Sequence, residues 1–284
     1  MRQVDLHVHS NKSDGTFTPT QLVDYALQKG LAAFALTDHD TTEGLDEALS
    51  YAEDKPVEII PGIEFSTEYE KKDVHVVGLY IRYDAPVFQS HLQAFVNSRV
   101  NRNIKMCGNL QNAGIDITFE KLCAENPGAV ITRAHYAAYL FNHGYVADRA
   151  EAFAKYVGDD CPYYVPREKV TPSQAVDLIL QAGGVPILAH PPLYHMEKER
   201  LDSLVGQLKE DGLMGIETIY SSYSAQEERD MFRLAKKYDL LPSGGSDFHG
   251  ENKPGLDLGC GYGKLFVPEE MLENIRNAAG KEQS

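Results

Sequence analysis

The chain has 284 residues, 43% of them hydrophobic and 24% charged, a profile that excludes a disordered or fibrous protein and buries a large core without disulfide staples. Its net charge of −15 argues against a groove along duplex nucleic acid, which needs basic surface. A small phosphorylated ligand is not excluded, because bound divalent cations invert the local potential.

Residues 3–9 alternate apolar and polar side chains as a short strand. Thr18-Pro19 then supplies an N-cap followed by proline at the first helical position, Leu22, Val23, Ala26 and Leu27 recur at helical spacing, and Gly30 stops the helix. A buried strand over 32–37, a helix over 42–54 and strands over 57–60 and 74–81 follow. From Pro86 the pattern changes to a long helix reaching about residue 110, a second helix capped at Thr118, and helical pieces over 132–142 and 148–156. A helical insertion is therefore expected over 85–165, inside a barrel built from 1–84 and 166–284. Alternation resumes at a second N-cap and proline pair, Thr171-Pro172, with helices over 173–182, 198–211, 225–238 and 269–279 and strands over 185–189, 215–220 and 241–245. About seven apolar strands, each mostly followed by a helix, predict a closed or nearly closed βα barrel.

No apolar run of about 18 residues predicts a membrane span, and no secretory signal precedes the first strand. Cys107, Cys123, Cys161 and Cys260 are scattered and form no CxxC pair, so they read as reduced thiols in a cytoplasmic protein.

On this map, chemistry-bearing residues gather at strand ends. His7 and His9 end the first strand and Asp14 follows it; Asp38 and His39 follow the second, Glu64 the third, His190 the fifth, and Asp247 with His249 the last, while His75 lies at or near the start of the fourth. In a βα barrel the C-terminal strand ends converge on one face. His7 and His9, at i and i+2, point to the same side of a strand and can reach one ion. Each signal alone has an ordinary reading: an HxH pair in a strand is more often structural, a TDHD segment can be a capped polar loop, and a lone glutamate is usually solvated. Their recurrence at one strand end after another points to metal. Mixed imidazole and carboxylate ligation suits zinc, manganese or iron without choosing among them, and the absence of thiolates from these positions argues against a structural zinc site. Competing motifs fail: GCGYGK at 259–264 matches neither the nucleotide P-loop nor GxGxxG, and there is no HExxH or GxSxG.

DLHVHS at 5–10, SDG at 13–15, TDHD at 37–40, PGIE at 61–64, HVVG at 75–78, AHP at 189–191 and GSDFH at 245–249 resemble the PHP (polymerase and histidinol phosphatase) family over nearly the whole chain. The insertion between HVVG and AHP resembles that of its stand-alone 3′,5′-nucleoside bisphosphate phosphatases and short-RNA 5′-exonucleases. The resemblance implies an α/β protein, a distorted (β/α)7 barrel holding two or three divalent ions (Mn, Fe or Zn). It implies His7, His9, Glu64 and Asp247 around one ion, Glu64, His75 and His190 around a second, and Asp14, His39 and His249 around a third, with Asp38 orienting a ligand. The implied reaction is hydrolysis of phosphate monoesters of small nucleotides, or of the 5′ ends of short oligonucleotides, by a metal-bound hydroxide attacking in line. His195 or a metal-bound water are candidates for the leaving group's proton donor. Arg133 and His135 in ITRAH at 131–135 resemble the subgroup's phosphate-binding pattern, and Arg99 and Arg102, on one helix face, are further candidates. A histidinol-phosphate phosphatase is the alternative within enzymes, and a non-catalytic metal-binding regulatory module the alternative outside them. The expected partner is a small phosphorylated substrate, with no duplex nucleic acid and no membrane, in a monomer or small homo-oligomer.

Overall fold

The computed structural model describes residues 2–158, 160–165 and 171–282. Strand β1 (Gln3–Val8) leads to α1 (Pro19–Lys29), whose start carries a full capping box between Thr18 and Gln21 and whose end is closed by Gly30 in the left-handed conformation, φ 71°. Strand β2 (Ala33–Leu36) and helix α2 (Leu45–Ala52) follow.

The next segment departs from simple alternation. The strand expected over 57–60 continues through Pro61-Gly62 as β3 (Glu58–Tyr69) and turns straight back as β4 (Lys72–Leu79), antiparallel to it with Gly62 opposite Leu79 and Ser66 opposite His75. Pro61 and Gly62 read as strand breakers, yet glycine is what lets three strands approach here. A Cβ on Gly62 would lie 2.9 Å from Thr37 Cγ2 and 3.0 Å from the Gly78 carbonyl oxygen. Because β4 runs backwards, its N-terminal end, carrying His75, lies at the mouth where the parallel strands finish.

After α7 (Pro172–Gln181) the chain alternates again through β5 (Val185–Leu188), α8 (Lys198–Glu210), β6 (Gly215–Tyr220), α9 (Ala225–Lys237) and β7 (Leu241–Gly245), then ends with a two-residue β8 (Val267–Pro268) and α10 (Glu269–Glu282). The strand order is β7-β6-β5-β4-β3-β2-β1-β8, with β8 antiparallel to β1. At the mouth, β1 meets the chain leaving β7: Asp247 N–H donates to the His7 carbonyl at 2.9 Å and His9 N–H to the Phe248 carbonyl at 3.0 Å. This nearly closed barrel agrees with the expected architecture. Leu272 and Ile275 of α10 pack with Val4, Leu6, Ala33, Ala35 and Ile60 in one of its cores.

Between β4 and α7 lie α3 (Pro86–Asn112), α4 (Phe119–Glu125), α5 (Arg133–Asn142) and α6 (Arg149–Ala152), the last running into a π turn over Phe153–Val157. Met106, Leu110, Ile117, Leu122, Tyr136 and Leu140 form a separate hydrophobic cluster here, while Phe88 and Leu92 at the start of α3 pack into a core shared with β3 and α7. The expected return to the barrel at 166 lies outside the described residues. No helix among the described residues is long and apolar enough to cross a membrane.

Candidate metal and phosphate site

One carboxylate organises the mouth of the barrel. Glu64 Oε1 lies 2.9 Å from His75 Nδ1 and 3.0 Å from His190 Nε2, while Oε2 lies 3.2 Å from His7 Nε2, 3.2 Å from His9 Nε2 and 3.1 Å from His39 Nδ1. His7 and His9 approach each other Nε2 to Nε2 at 3.1 Å, and Asp247 Oδ1 stands 3.2 Å from the His9 nitrogen and 3.6 Å from that of His7. Beyond them His249 Nε2 meets Asp14 Oδ1 at 3.0 Å, with His39 Nε2 3.8 Å from Asp14 Oδ2 and His9 Nδ1 3.9 Å from Oδ1.

The residues fit a cation better than they fit one another. Glu64 Oε2, Asp14 Oδ1 and His190 Nδ1 are buried and make no hydrogen bond, although nitrogens crowd the two oxygens. An unsatisfied buried carboxylate oxygen costs several kcal/mol unless something cationic meets it. Ligand-to-ligand spacings near 3.2 Å are also what bonds of about 2.0–2.1 Å to one ion produce, since the edge of such a tetrahedron is roughly 3.3 Å.

The outer partners aim the imidazole lone pairs inward. His7 Nδ1 meets Glu217 Oε1 at 2.9 Å and His249 Nδ1 meets the Asp247 carbonyl at 2.9 Å, arrangements that leave each Nε2 free to face the cluster. Glu217 also accepts the His190 backbone N–H at 2.6 Å through its other oxygen. Asp38 accepts Ser10 N–H at 2.8 Å and the Ser10 and Ser13 hydroxyls at 2.6 Å, bracing the loop between His9 and Asp14. Asp5 ties the closing strands together, accepting Ser246 N–H and Gly259 N–H, each at 2.8 Å. His190 and Asp247 both adopt left-handed backbone, φ 32° and 57°, a conformation that non-glycine residues hold only where the surroundings impose it.

Charge is distributed to match. Burial disfavours the charged form of His7, but Glu64, Glu217 and Asp247 outweigh it and hold its pKa well above the usual imidazole value. His9 is likewise carried against burial to about 9 by Asp247 and Glu64, and His75 to about 10 by Glu64 and Asp73. Burial wins at His39, which falls to about 3. Glu64, Asp14 and Asp247 are also buried, yet neighbouring cationic groups hold all three well below the carboxylate range, with His7 foremost at Glu64, His249 at Asp14 and Lys253 at Asp247.

All nine expected metal-site residues thus meet at one mouth. Their division into three sets is less clean than the motifs imply. His9 joins Asp14, His39 and His249 through its second nitrogen, and His7 groups with Glu64 and His190 as well as with His9 and Asp247.

A cavity of about 460 Å³ opens over this cluster. Arg99, Arg102 and Arg133 line it, all from the helical segment. Arg99 is buried, forking onto Asp40 Oδ2 through Nε at 2.7 Å and Nη2 at 2.5 Å and reaching Ser66 Oγ at 2.6 Å. Arg133 Nη2 meets Asp73 Oδ2 at 2.7 Å, and the same Asp73 oxygen stands 3.5 Å from His75 Nε2. Thr132 Oγ1 donates to Asp14 Oδ2 at 2.8 Å. His135, by contrast, is not among the cavity's lining residues: its Nδ1 accepts Thr132 N–H at 2.9 Å, as part of the capping box that starts α5. His195 is exposed and lines an adjoining cavity of about 290 Å³, together with Lys72, Asp73, His75 and Arg133.

Sequence reasoning missed Glu217, Asp73, Tyr220 and Lys253. The last two both contact Asp247 Oδ2, Tyr220 at 2.5 Å. Glu217 carried a readable signal, being an acid in the middle of the apolar strand GIETIY, a run of the kind buried on both faces.

Comparison with known proteins fits this geometry. A family model for the PHP domain matches residues 5–160. A 5′-3′ exoribonuclease of Haemophilus influenzae is 37% identical over 96% of this chain and 97% of its own length. A 3′,5′-nucleoside bisphosphate phosphatase of Chromobacterium violaceum is 35% identical over 91% of each chain. Among solved structures, a protein of Bifidobacterium adolescentis provisionally classed as a metal-dependent phosphoesterase superposes with a TM-score of 0.84 at 29% identity, over 98% of this chain and 96% of its own.

Proposed function

The chain belongs to the PHP domain family and is a metal-dependent phosphoesterase, and from that premise we propose that it removes phosphate from 3′,5′-bisphosphorylated nucleotides such as pAp, or cleaves at the 5′ end of short oligonucleotides. The observation that carries the reading is Glu64, a buried carboxylate ringed by five imidazole nitrogens, under a cavity whose wall supplies three arginines.

In this reading, which keeps the division the family resemblance implies among the nine residues gathered at the mouth, His7, His9, Glu64 and Asp247 would hold one ion, Glu64, His75 and His190 a second, and Asp14, His39 and His249 a third, the metals being manganese, iron or zinc. Divalent ions bound there supply Lewis acidity toward a phosphoryl oxygen and neutralise phosphate charge. The chain's own residues do the rest. Arg133 presents a planar guanidinium suited to two phosphate oxygens and is oriented by Asp73. Arg99, anchored by Asp40, adds positive charge that costs no reorganisation when an anion arrives. Glu217 keeps His7 in the tautomer that faces the ions. The insertion roofs the mouth, which favours a small nucleotide or a chain end over a duplex.

The test is a phosphate-release screen on metal-stripped protein, refilled with manganese, iron or zinc, using pAp, a 5′-phosphorylated short RNA and histidinol phosphate. Turnover of pAp or RNA supports the proposal. Preference for histidinol phosphate, or no activity with any metal, replaces it with the phosphatase or the regulatory-module alternative respectively.

A further inference from the structure

The cavity over the metal cluster is lined largely by charged and polar groups, with two exceptions that stand out for exposure. Phe153 is 39% exposed and Leu193 is 40% exposed, and they are the only large hydrophobic side chains exposed among the described residues that line this cavity. Phe153 comes from the insertion and Leu193 from the barrel, on the 3₁₀ turn (Pro191–Tyr194) that follows His190. Exposed apolar side chains inside a binding cavity mark a ligand with an apolar face.

Both are presented by braced, irregular backbone. Phe153 opens the π turn, where Gly158 N–H donates to its carbonyl at 3.0 Å and the Cys161 thiol reaches the same oxygen at 3.4 Å. A Cβ on Gly158 would lie 2.5 Å from that carbonyl oxygen, so this closure requires glycine. Isolated π turns of this kind recur at functional sites. Leu193 N–H donates to the His190 carbonyl at 3.0 Å, and the next residue, Tyr194, anchors the turn by donating to the His75 carbonyl at 3.2 Å. The Leu193 side chain is therefore placed by the same turn that places His190.

We infer that Phe153 and Leu193 form the nucleobase subsite: the base stacks on the Phe153 ring and rests against Leu193 while its phosphate lies among the arginines. The inference rests on the proposed nucleotide substrate and deepens it. A cavity of about 460 Å³ admits a small planar ring system and not a protein segment. Stacking also predicts tolerance of all four bases, because each has a π face, whereas a ring of hydrogen-bonding side chains would select one.

The experiment compares pAp with ribose 3,5-bisphosphate, which keeps both phosphates and lacks the base, in wild type, Phe153→Ala, Leu193→Ala and Phe153→Tyr. The kcat/KM ratio of pAp to the abasic compound falls about tenfold in Phe153→Ala, a loss of ~1.4 kcal/mol carried by KM, and is restored in Phe153→Tyr. In parallel, the fluorescence of a 2-aminopurine nucleoside 3′,5′-bisphosphate is quenched by wild type and recovers in Phe153→Ala. A ratio unchanged by Phe153→Ala, or wild type that turns over the abasic compound as well as pAp, overturns the base contact and leaves the phosphoesterase intact. Quenching through Phe153 without phosphate release from any nucleotide would sink the proposed reaction and leave the base contact standing.

Discussion

Replacing Glu217 by glutamine tests whether an unseen outer partner governs the metal cluster. Glu217 is 1% exposed and does not line the cavity over the cluster; it works through His7 Nδ1 and the His190 backbone N–H, one on each carboxylate oxygen, at 2.9 and 2.6 Å. Both partners are donors. A glutamine offers one oxygen and one NH₂, so whichever way the amide turns, it sets donor against donor on one side. The loss is one charge-assisted hydrogen bond, worth about 1.5–3 kcal/mol, plus the tendency of His7 to turn the wrong nitrogen inward. Outer partners of metal-binding histidines typically account for about 10–100-fold in affinity. Glu217→Gln is therefore expected to raise the manganese concentration for half-maximal activity by about 10–100-fold, with most of kcat returning at saturating metal. The assay is phosphate release from pAp across a metal titration, with circular dichroism to confirm folding. Half-saturation within twofold of wild type would refute the idea that Glu217 sets the His7 tautomer.

Three further outcomes follow from the same geometry. Without ions, His7, His9 and His75 have pKa values above neutral, His9 at about 9 and His75 at about 10, so they carry protons at pH 7 that an entering cation must displace. Metal uptake therefore strengthens from pH 6 to pH 8 and releases protons at pH 7; identical calorimetric heats in buffers of different ionisation enthalpy would contradict this. Arg133→Ala lowers kcat/KM on pAp by about 10–100-fold, the value of a charge-assisted contact, and Arg133→Lys recovers only part of it; unchanged kcat and KM would remove Arg133 from the substrate site. Gly245→Ala puts a Cβ 2.4 Å from His7 Cβ and 2.6 Å from His7 N, so it lowers Tm through a cost of about 1–3 kcal/mol and weakens metal uptake together; a variant with wild-type Tm would show that β1 and β7 can separate freely there.

The gathering of His, Asp and Glu side chains at one mouth was legible because these chemistry-bearing residues are few and strand ends are easy to locate. His7 and His9, two apart in a strand, could be placed on one side from spacing alone. The hairpin was not legible. Pro61-Gly62 carries the local signal of a turn, and only the crowding of β2, β3 and β4 around Gly62 shows why a strand passes through it. That also put His75 on a strand running opposite to the expected direction. The outer partners were harder to read: Glu217 stood out only as an acid inside an apolar strand, and Asp73, whose partner Arg133 lies far along the chain, has no local pattern that distinguishes it from a solvated acid. His135 illustrates the converse. Its motif suggested phosphate contact, while three-residue spacing from Thr132 equally allowed the capping role in which it is found.

The left-handed backbone at His190 and Asp247 has a consequence for anyone evolving this protein toward heat resistance. Each departure from ordinary dihedral angles holds back roughly 1–3 kcal/mol of folding free energy, which glycine would release at once. A selection that rewards only survival on heating should drift to glycine at both positions, yielding tougher molecules that no longer capture cations. Robustness and chemistry pull apart at these two residues, so screens for the first must keep the second under watch.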